Sequence, residues 1–364
     1  LLKKARSWPS SIAGLLRQNE EEKKMFDIEM MILSFAGGVF GAAIGGLPAF
    51  VLCGVLATIG LAVFWATGED TFVNALAWGP LFGPHIAFAG GVAAAAYAAK
   101  KGKLETGRDI VSPLMGLDAP DVLAVGGVFG ALGYVLFWVS GLLGNIGTFP
   151  WMNGAVFSIC VSSIIVRLGF GQRGLLGQVR TGDKRWVASD TASWLPWQSQ
   201  PAMLVLIAVG IGLPIAYFIR IMPELFTFGF AIAAVSLVFL GAGFKFPVTH
   251  HIGIASGMGV IATGNIWWGL TFALLGAFMG EVFACSLLNH GDTHIDPPCW
   301  AVSVTWLLTA LLSASALKNL SGAIPIVIAA AVALVGFGAM TALRNRPAVG
   351  AEETGSIAAA GGTR

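Results

Sequence analysis

Residues 266–288, IWWGLTFALLGAFMGEVFACSLL, form an apolar run broken by one carboxylate, Glu281, and lead directly into His290-Gly291-Asp292-Thr293-His294-Ile295-Asp296-Pro297-Pro298. The run has the length and composition of a helix that crosses a bilayer. The segment after it is polar and stopped by two prolines, and a second apolar run begins beyond it. Ionisable groups at or near membrane depth are costly unless they face a polar path or bind something. Two histidines and two aspartates at this place therefore mark a first candidate site.

Composition agrees with that reading. The chain is 56% hydrophobic and 11% charged, against about 25% charged in an average soluble protein. A soluble fold would have to bury several such runs completely, so the expected class is an all-α polytopic membrane protein. The net charge of +2 excludes a nucleic-acid surface. Cys53, Cys160, Cys285 and Cys299 sit in or beside apolar segments without metal-ligand spacing, and read as small buried hydrophobes. No Walker motif, dinucleotide fingerprint or nucleophile elbow stands in a supporting context, which argues against ATP-driven transport by this chain alone.

Working outward from the opening run, the spacing predicts spans near 30–46, 48–67, 121–143, 150–168, 202–219, 222–241, 266–288, 299–317 and 322–341. Gly45-Gly46-Leu47-Pro48 separates the first two. Two stretches are too short and too broken for plain crossings. One runs from Gly79-Pro80-Leu81-Phe82-Gly83-Pro84 through His85 to Lys100, and the other from Pro247-Val248-Thr249-His250-His251 to Gly264. Both read as re-entrant or discontinuous helices, which are tolerated at membrane depth only inside protein or around a cavity. Residues 1–29 form an N-terminal interfacial segment with a short amphipathic helix expected around Leu15-Leu16. Its start, without methionine or an apolar signal region, reads as a trimmed terminus. A polar connection, 169–201, divides a first membrane unit, 30–168, from a second, 202–341. The tail, 342–364, is expected to be disordered.

The two units resemble each other. His85-Ile86-Ala87-Phe88-Ala89-Gly90-Gly91-Val92 aligns with His251-Ile252-Gly253-Ile254-Ala255-Ser256-Gly257-Met258. Phe129-Gly130-Ala131-Leu132-Gly133 resembles Leu275-Gly276-Ala277-Phe278-Met279-Gly280, and Asn145, Thr148, Pro150 and Ala155 have rough counterparts in Asn289, Thr293, Pro298 and Ala301. The expected architecture is two tandem repeated halves with the site at their interface. Lysine and arginine counts place the N-terminus, the 100–108 loop and the 169–200 loop together on the cytoplasmic side of a bacterial inner (plasma) membrane. That grouping requires residues 72–99 to dip in and return, giving a parallel repeat; a full crossing there gives an odd span count and an inverted one.

The groups expected along a solute or ion path are His85, His251, Glu281, His290, Asp292, His294, Asp296, Asn145 and Asn265. Histidine donates, accepts and titrates near neutrality, and Glu281 is an intramembrane carboxylate. The leading expectation is a channel or secondary transporter for a small polar solute or ion, embedded in lipid and forming a homo-oligomer. The two-half plan with partial helices resembles the general architecture of urea-type channels and several secondary transporters, a resemblance that implies no substrate. The alternatives are an integral membrane enzyme holding a divalent metal on His290, Asp292, His294 and Asp296, and a membrane scaffold or accessory subunit.

Overall fold

The structure, a computed structural model, describes residues 25–189 and 193–349. The amphipathic helix expected around Leu15-Leu16 and the tail beyond Val349 lie outside these residues. The first unit contains α1 (Ile28–Ile44), α2 (Gly46–Thr67), α3 (Ala89–Lys100), α4 (Pro120–Gly141) and α5 (Gly154–Phe170). The second contains α6 (Pro201–Ile221), α7 (Phe228–Gly241), α8 (His250–Thr263), α9 (Ile266–Phe283), α10 (Pro297–Ala314) and α11 (Ile324–Arg344). A two-stranded ribbon, β1 (Asn145–Ile146) and β2 (Phe149–Pro150), precedes α5.

Six of these helices, α2, α4, α6, α9 with its continuation to Leu288, α10 and α11, are long and apolar enough to cross a membrane, and α1, α5 and α7 are shorter apolar helices. Large apolar side chains such as Ile32, Leu52, Trp65, Leu206, Leu334 and Val335 stand on the outside. In water this would be a severe penalty; in lipid it is the expected outer surface. The chain is an integral membrane protein.

Local chemistry sets the helix limits. Asp27 caps α1 by accepting from the Glu29 and Met30 amides. Gly45 takes φ +94°, a conformation that favours glycine, and turns the chain so that the Leu47 amide donates to the Ile110 carbonyl at 2.7 Å. In each unit the first helix packs on the third and fourth, the third on the fourth and fifth, and the fourth on the fifth. Thus α1 meets α3 and α4 as α6 meets α8 and α9. The close crossings depend on small residues: a Cβ on Gly38 would lie 2.9 Å from the Gly130 Cα, and one on Gly212 would strike Ala273. Between units, α2 packs on α7 and α5 on α10. Helix α11 lies outside this scheme, against α6 and α9.

The bundle has two distinct ends. At one, the Lys100 ammonium donates to the Gly169 carbonyl, Arg108 donates to the Asn289 carbonyl, and Gly107 bridges Thr293. At the other, the Asp27 amide donates to the Tyr134 hydroxyl, and the Trp306 indole donates to the Pro150 carbonyl. Residues 25–27 therefore stand at the end opposite the two basic loops, while the N-terminal lysines and arginines that enter the count lie outside the described residues.

Residues 72–99 also depart from the expected hairpin. Residues 73–77 run inward along α2, with Val73 by Gly60 and the Cys53 thiol donating to the Ala77 carbonyl. Pro80 and Ile86 lie against Gly37 in the middle of α1, and α3 then runs on to the basic end. The segment does not return to the end it enters, because Pro84 restarts the helix at depth. The tail differs as well: α11 reaches Arg344, and Val349 exchanges backbone hydrogen bonds with Gly182 and Asp183.

Candidate functional site

The segment 289–296 does not gather its four ionisable groups at one point. His290 is buried against the polar connection, where its Nε2 donates to the Arg185 carbonyl at 3.2 Å. Burial pushes this imidazole below its ordinary pKa, with the Arg185 carbonyl acting the other way. Asp292 accepts from the Gln172 amide at 2.6 Å and lies 3.9 Å from the Arg167 guanidinium. His294 and Asp296 turn inward, Nε2 to Oδ1 at 3.4 Å, and both are buried. The metal-centre expectation fails on this divergence. Among the described residues no group of three or more His, Cys, Asp and Glu side chains has an arrangement that could hold a metal ion.

Asp296 has two tasks. Its Oδ2 accepts from the Cys299 amide at 3.0 Å and so caps α10, while its Oδ1 faces His294. The His294 ring meets Phe88 edge-on at 5.9 Å. Beside them lies a small cavity lined by Phe88, Ala89, Val92, Ile159, Ser162, Ser163, Val166, His294 and Asp296. The space at its centre is about 10 Å³, the room of roughly one water molecule. Counting along α5 from its end at Phe170, the lining residues Val166 to Ile159 lie roughly 6 to 16 Å inside the bundle at the helical rise.

His250 begins α8 at a similar depth, 5.0 Å from Phe50, 6.0 Å from Phe230 and 5.6 Å from His251 between ring centroids. It gets there because residues 242–249 enter the bundle as irregular chain held from the side. The Gln198 amide donates its Nε2 to the Val248 carbonyl and accepts from the Val248 amide, each at 2.9 Å. Trp197 donates to the Phe246 carbonyl at 3.1 Å. One buried side chain thus supplies both partners that a neighbouring strand would supply.

His85 and His251 occupy related surroundings without meeting each other or Asp296 in any hydrogen bond. The His85 carbonyl lies against Gly133 and its ring stacks on Phe137 at 4.7 Å. The His251 carbonyl lies against Gly276, and its ring against Gly280. The Nδ1 atoms of His85, His250 and His251 are buried with no hydrogen-bond partner among the described residues. Glu281 is buried one residue beyond Gly280 and faces another way, where the Cys285 thiol donates to its Oε1 at 3.4 Å. Asn145, in the ribbon, and Asn265, which caps α9 by accepting from the Trp267 amide, lie at the end opposite the 289–296 segment.

Three contributors are invisible to sequence reasoning. Arg167, which reads as one more cation before a polar loop, is the largest fully buried side chain. It donates to the Thr293 hydroxyl at 2.7 Å and to the carbonyls of Thr293, Leu287 and Leu175 at 2.8, 3.0 and 2.9 Å. Gln198 gives no signal in its stretch of tryptophan and proline. Cys160, which reads as a buried small hydrophobe, meets Ser303 at 3.4 Å where α5 crosses α10.

The sequence model of DUF7973, a family of unknown function, matches residues 20–187 and again 176–327. The chain belongs to this family. No curated protein and no solved structure matches it.

Proposed function

We propose that this member of the DUF7973 family is a secondary transporter or channel for a small ion or polar solute, built from two inverted five-helix repeats, with Asp296, His294 and His250 as the polar groups of its path. The repeat reading rests on contacts that recur at one offset. Cys160 touches Ser303 across an offset of 143 residues, and at the same offset Gly130 corresponds to Ala273, Gly133 to Gly276 and Asn153 to Asp296. In each pair both members do the same job. Gly130 and Ala273 receive Gly38 and Gly212, and Gly133 and Gly276 receive the carbonyls of His85 and His251. Asn153 and Asp296 cap α5 and α10. The two stretches matched by the family model, meeting within the 169–201 connection, support the same division.

An odd number of crossings per unit inverts the second unit relative to the first. Cys160 and Ser303, being each other's counterparts in contact, then lie on the pseudo-two-fold axis. Broken helices that begin at depth in both units, at Pro84 and at His250, belong to this transporter plan.

The observation that carries the function is the buried His294–Asp296 pair beside a one-water cavity at the junction of the units. A carboxylate in such a place is retained at a cost, and its use is to meet a cation or a proton in transit. The nearly closed cavity favours a carrier that opens alternately over a continuous pore. The test is flux in liposomes containing the purified protein, followed with pH-sensitive and potential-sensitive dyes under imposed ion gradients. Asp296→Asn keeps the helix cap, since asparagine caps as well as aspartate, and is expected to lower flux about 100-fold or more. Undiminished flux in that variant overturns the proposal.

A further inference from the structure

The two units differ most where they should be most alike. At the offset that relates α5 to α10, the cavity residues Ile159, Ser162, Ser163 and Val166 correspond to Val302, Thr305, Trp306 and Thr309. The pattern of burial follows the same register, with Ser162, Ser163 and Val166 buried like Thr305, Trp306 and Thr309, and Ile165 exposed like Leu308. The correspondence of His85 with His251 likewise makes Ile254 and Met258 the counterparts of Phe88 and Val92. In the first unit these positions surround the cavity beside Asp296. In the second, Ile254, Met258, Val302 and Trp306 close into an apolar cluster with Phe149 and Ala310.

The largest change among these pairs is Ser163 to Trp306. Where Ser163 leaves space, Trp306 fills it with an indole, among the largest apolar bodies a side chain offers. The indole Nε1 donates to the Pro150 carbonyl at 2.9 Å, and the ring meets Phe149 edge-on at 6.3 Å. Both partners lie on the short ribbon that precedes α5, which is the counterpart of the segment carrying His294. The ribbon is held by Trp306, by Phe149 in the apolar cluster with Ile254, Met258 and Val302, and by the end of α10 against Gly147.

We infer that Trp306 is the gate of the opposite end: docked on the ribbon at Pro150, it plugs the half of the path related by pseudo-symmetry to the cavity beside Asp296, and opening that end requires the indole to leave. This inference rests on the proposed path. Cys160, on the pseudo-axis just beyond the plug, is a native reporter.

In sealed vesicles, a small membrane-impermeant thiosulfonate applied from the ribbon side should leave Cys160 unlabelled in the parent and in Trp306→Phe. In Trp306→Ala labelling should be faster by about tenfold or more, because thiol reactivity follows access. Cys160→Ser in the Trp306→Ala background should abolish the signal. Leu274→Ala, which opens a core cavity in the cluster shared by α6, α9 and α11, separates gating from general loosening and should leave Cys160 protected. Protection of Cys160 in a folded, monodisperse Trp306→Ala overturns the inference, as does equal labelling in Leu274→Ala. Labelling reports water access whatever the transported species. Labelled Trp306→Ala with no flux in any variant would keep the gate and sink the transport reading.

Discussion

The chain approaches α5 and α10 by two different kinds of segment. Before α5 it makes a ribbon of two-residue strands, exposed except for the buried Phe149 and the half-buried Ile146 and Pro150, turning at Gly144 and Gly147, both at positive φ, and ends on the uncharged cap Asn153. Before α10 it is buried almost throughout, tied to Arg108, Arg167 and Arg185, and ends on the charged cap Asp296. The same structural task, starting a helix inside the bundle, is met once with a neutral amide and once with a carboxylate. In the register proposed above Asn153 is the counterpart of Asp296 and caps its helix without a charge, so capping alone does not require the carboxylate.

The comparison can be broken most severely at Arg167. Arg167→Ala leaves the Thr293 and Leu287 carbonyls buried without their donor, and should lower stability by about 3 kcal/mol or more, measured as thermal unfolding in detergent. The ribbon side should be untouched, so protease cleavage should rise between residues 287 and 296 and not between 142 and 153. A smaller effect compares two glycines doing one job. A Cβ on Gly133 would drive into the His85 carbonyl, whereas one on Gly276 would lie 3.2 Å from the His251 carbonyl. Gly133→Ala should cost about 2 kcal/mol by overpacking and Gly276→Ala less than about 1, read as a difference in melting temperature. Equal losses would weaken the proposed equivalence.

Gln198→Ala removes both hydrogen bonds to Val248 and should cost about 1–2 kcal/mol, with faster hydrogen exchange at the Val248 amide; Gln198→Glu should retain protection there by keeping the acceptor. The smallest effect concerns pH. The His290 pKa is lowered from 6.5 in the folded chain, so the unfolded state takes up the proton first. The contribution of His290 is then fully present above pH 6.5 and declines as the pH falls below it. The slope of stability against pH should flatten in His290→Gln.

Much of the helical layout was legible because length and apolarity alone decide it. Spans expected at 30–46, 48–67 and 266–288 occur at Ile28–Ile44, Gly46–Thr67 and Ile266–Leu288, and the breaks at Pro84 and His250 follow from proline and glycine chemistry. Side-chain direction was not legible. Helix α9 is apolar all round, so no pattern tells that Glu281 faces Cys285 and not His251. The divergence that turns His290 and Asp292 toward the polar connection and His294 toward Asp296 is held at Thr293 by Arg167, a partner over a hundred residues away. Glycines recurring every three or four positions also blur register: the sequence blocks set Gly130 opposite Gly276, whereas the proposed register, one helical turn away, sets Gly133 there.

Arg167 also imposes an order on synthesis. It is made in the first unit, yet the hydroxyl and carbonyl it requires at Thr293 are 126 residues downstream. At roughly 5–20 residues per second, the ribosome supplies them about 6 to 25 s later. During that interval the first unit holds a guanidinium for which its own helices offer only the carbonyls of the following loop, Gly174 and Leu175. The first unit therefore reaches its final packing only after the second has been inserted beside it. A nascent chain stopped after residue 201 should remain a client of the insertion machinery.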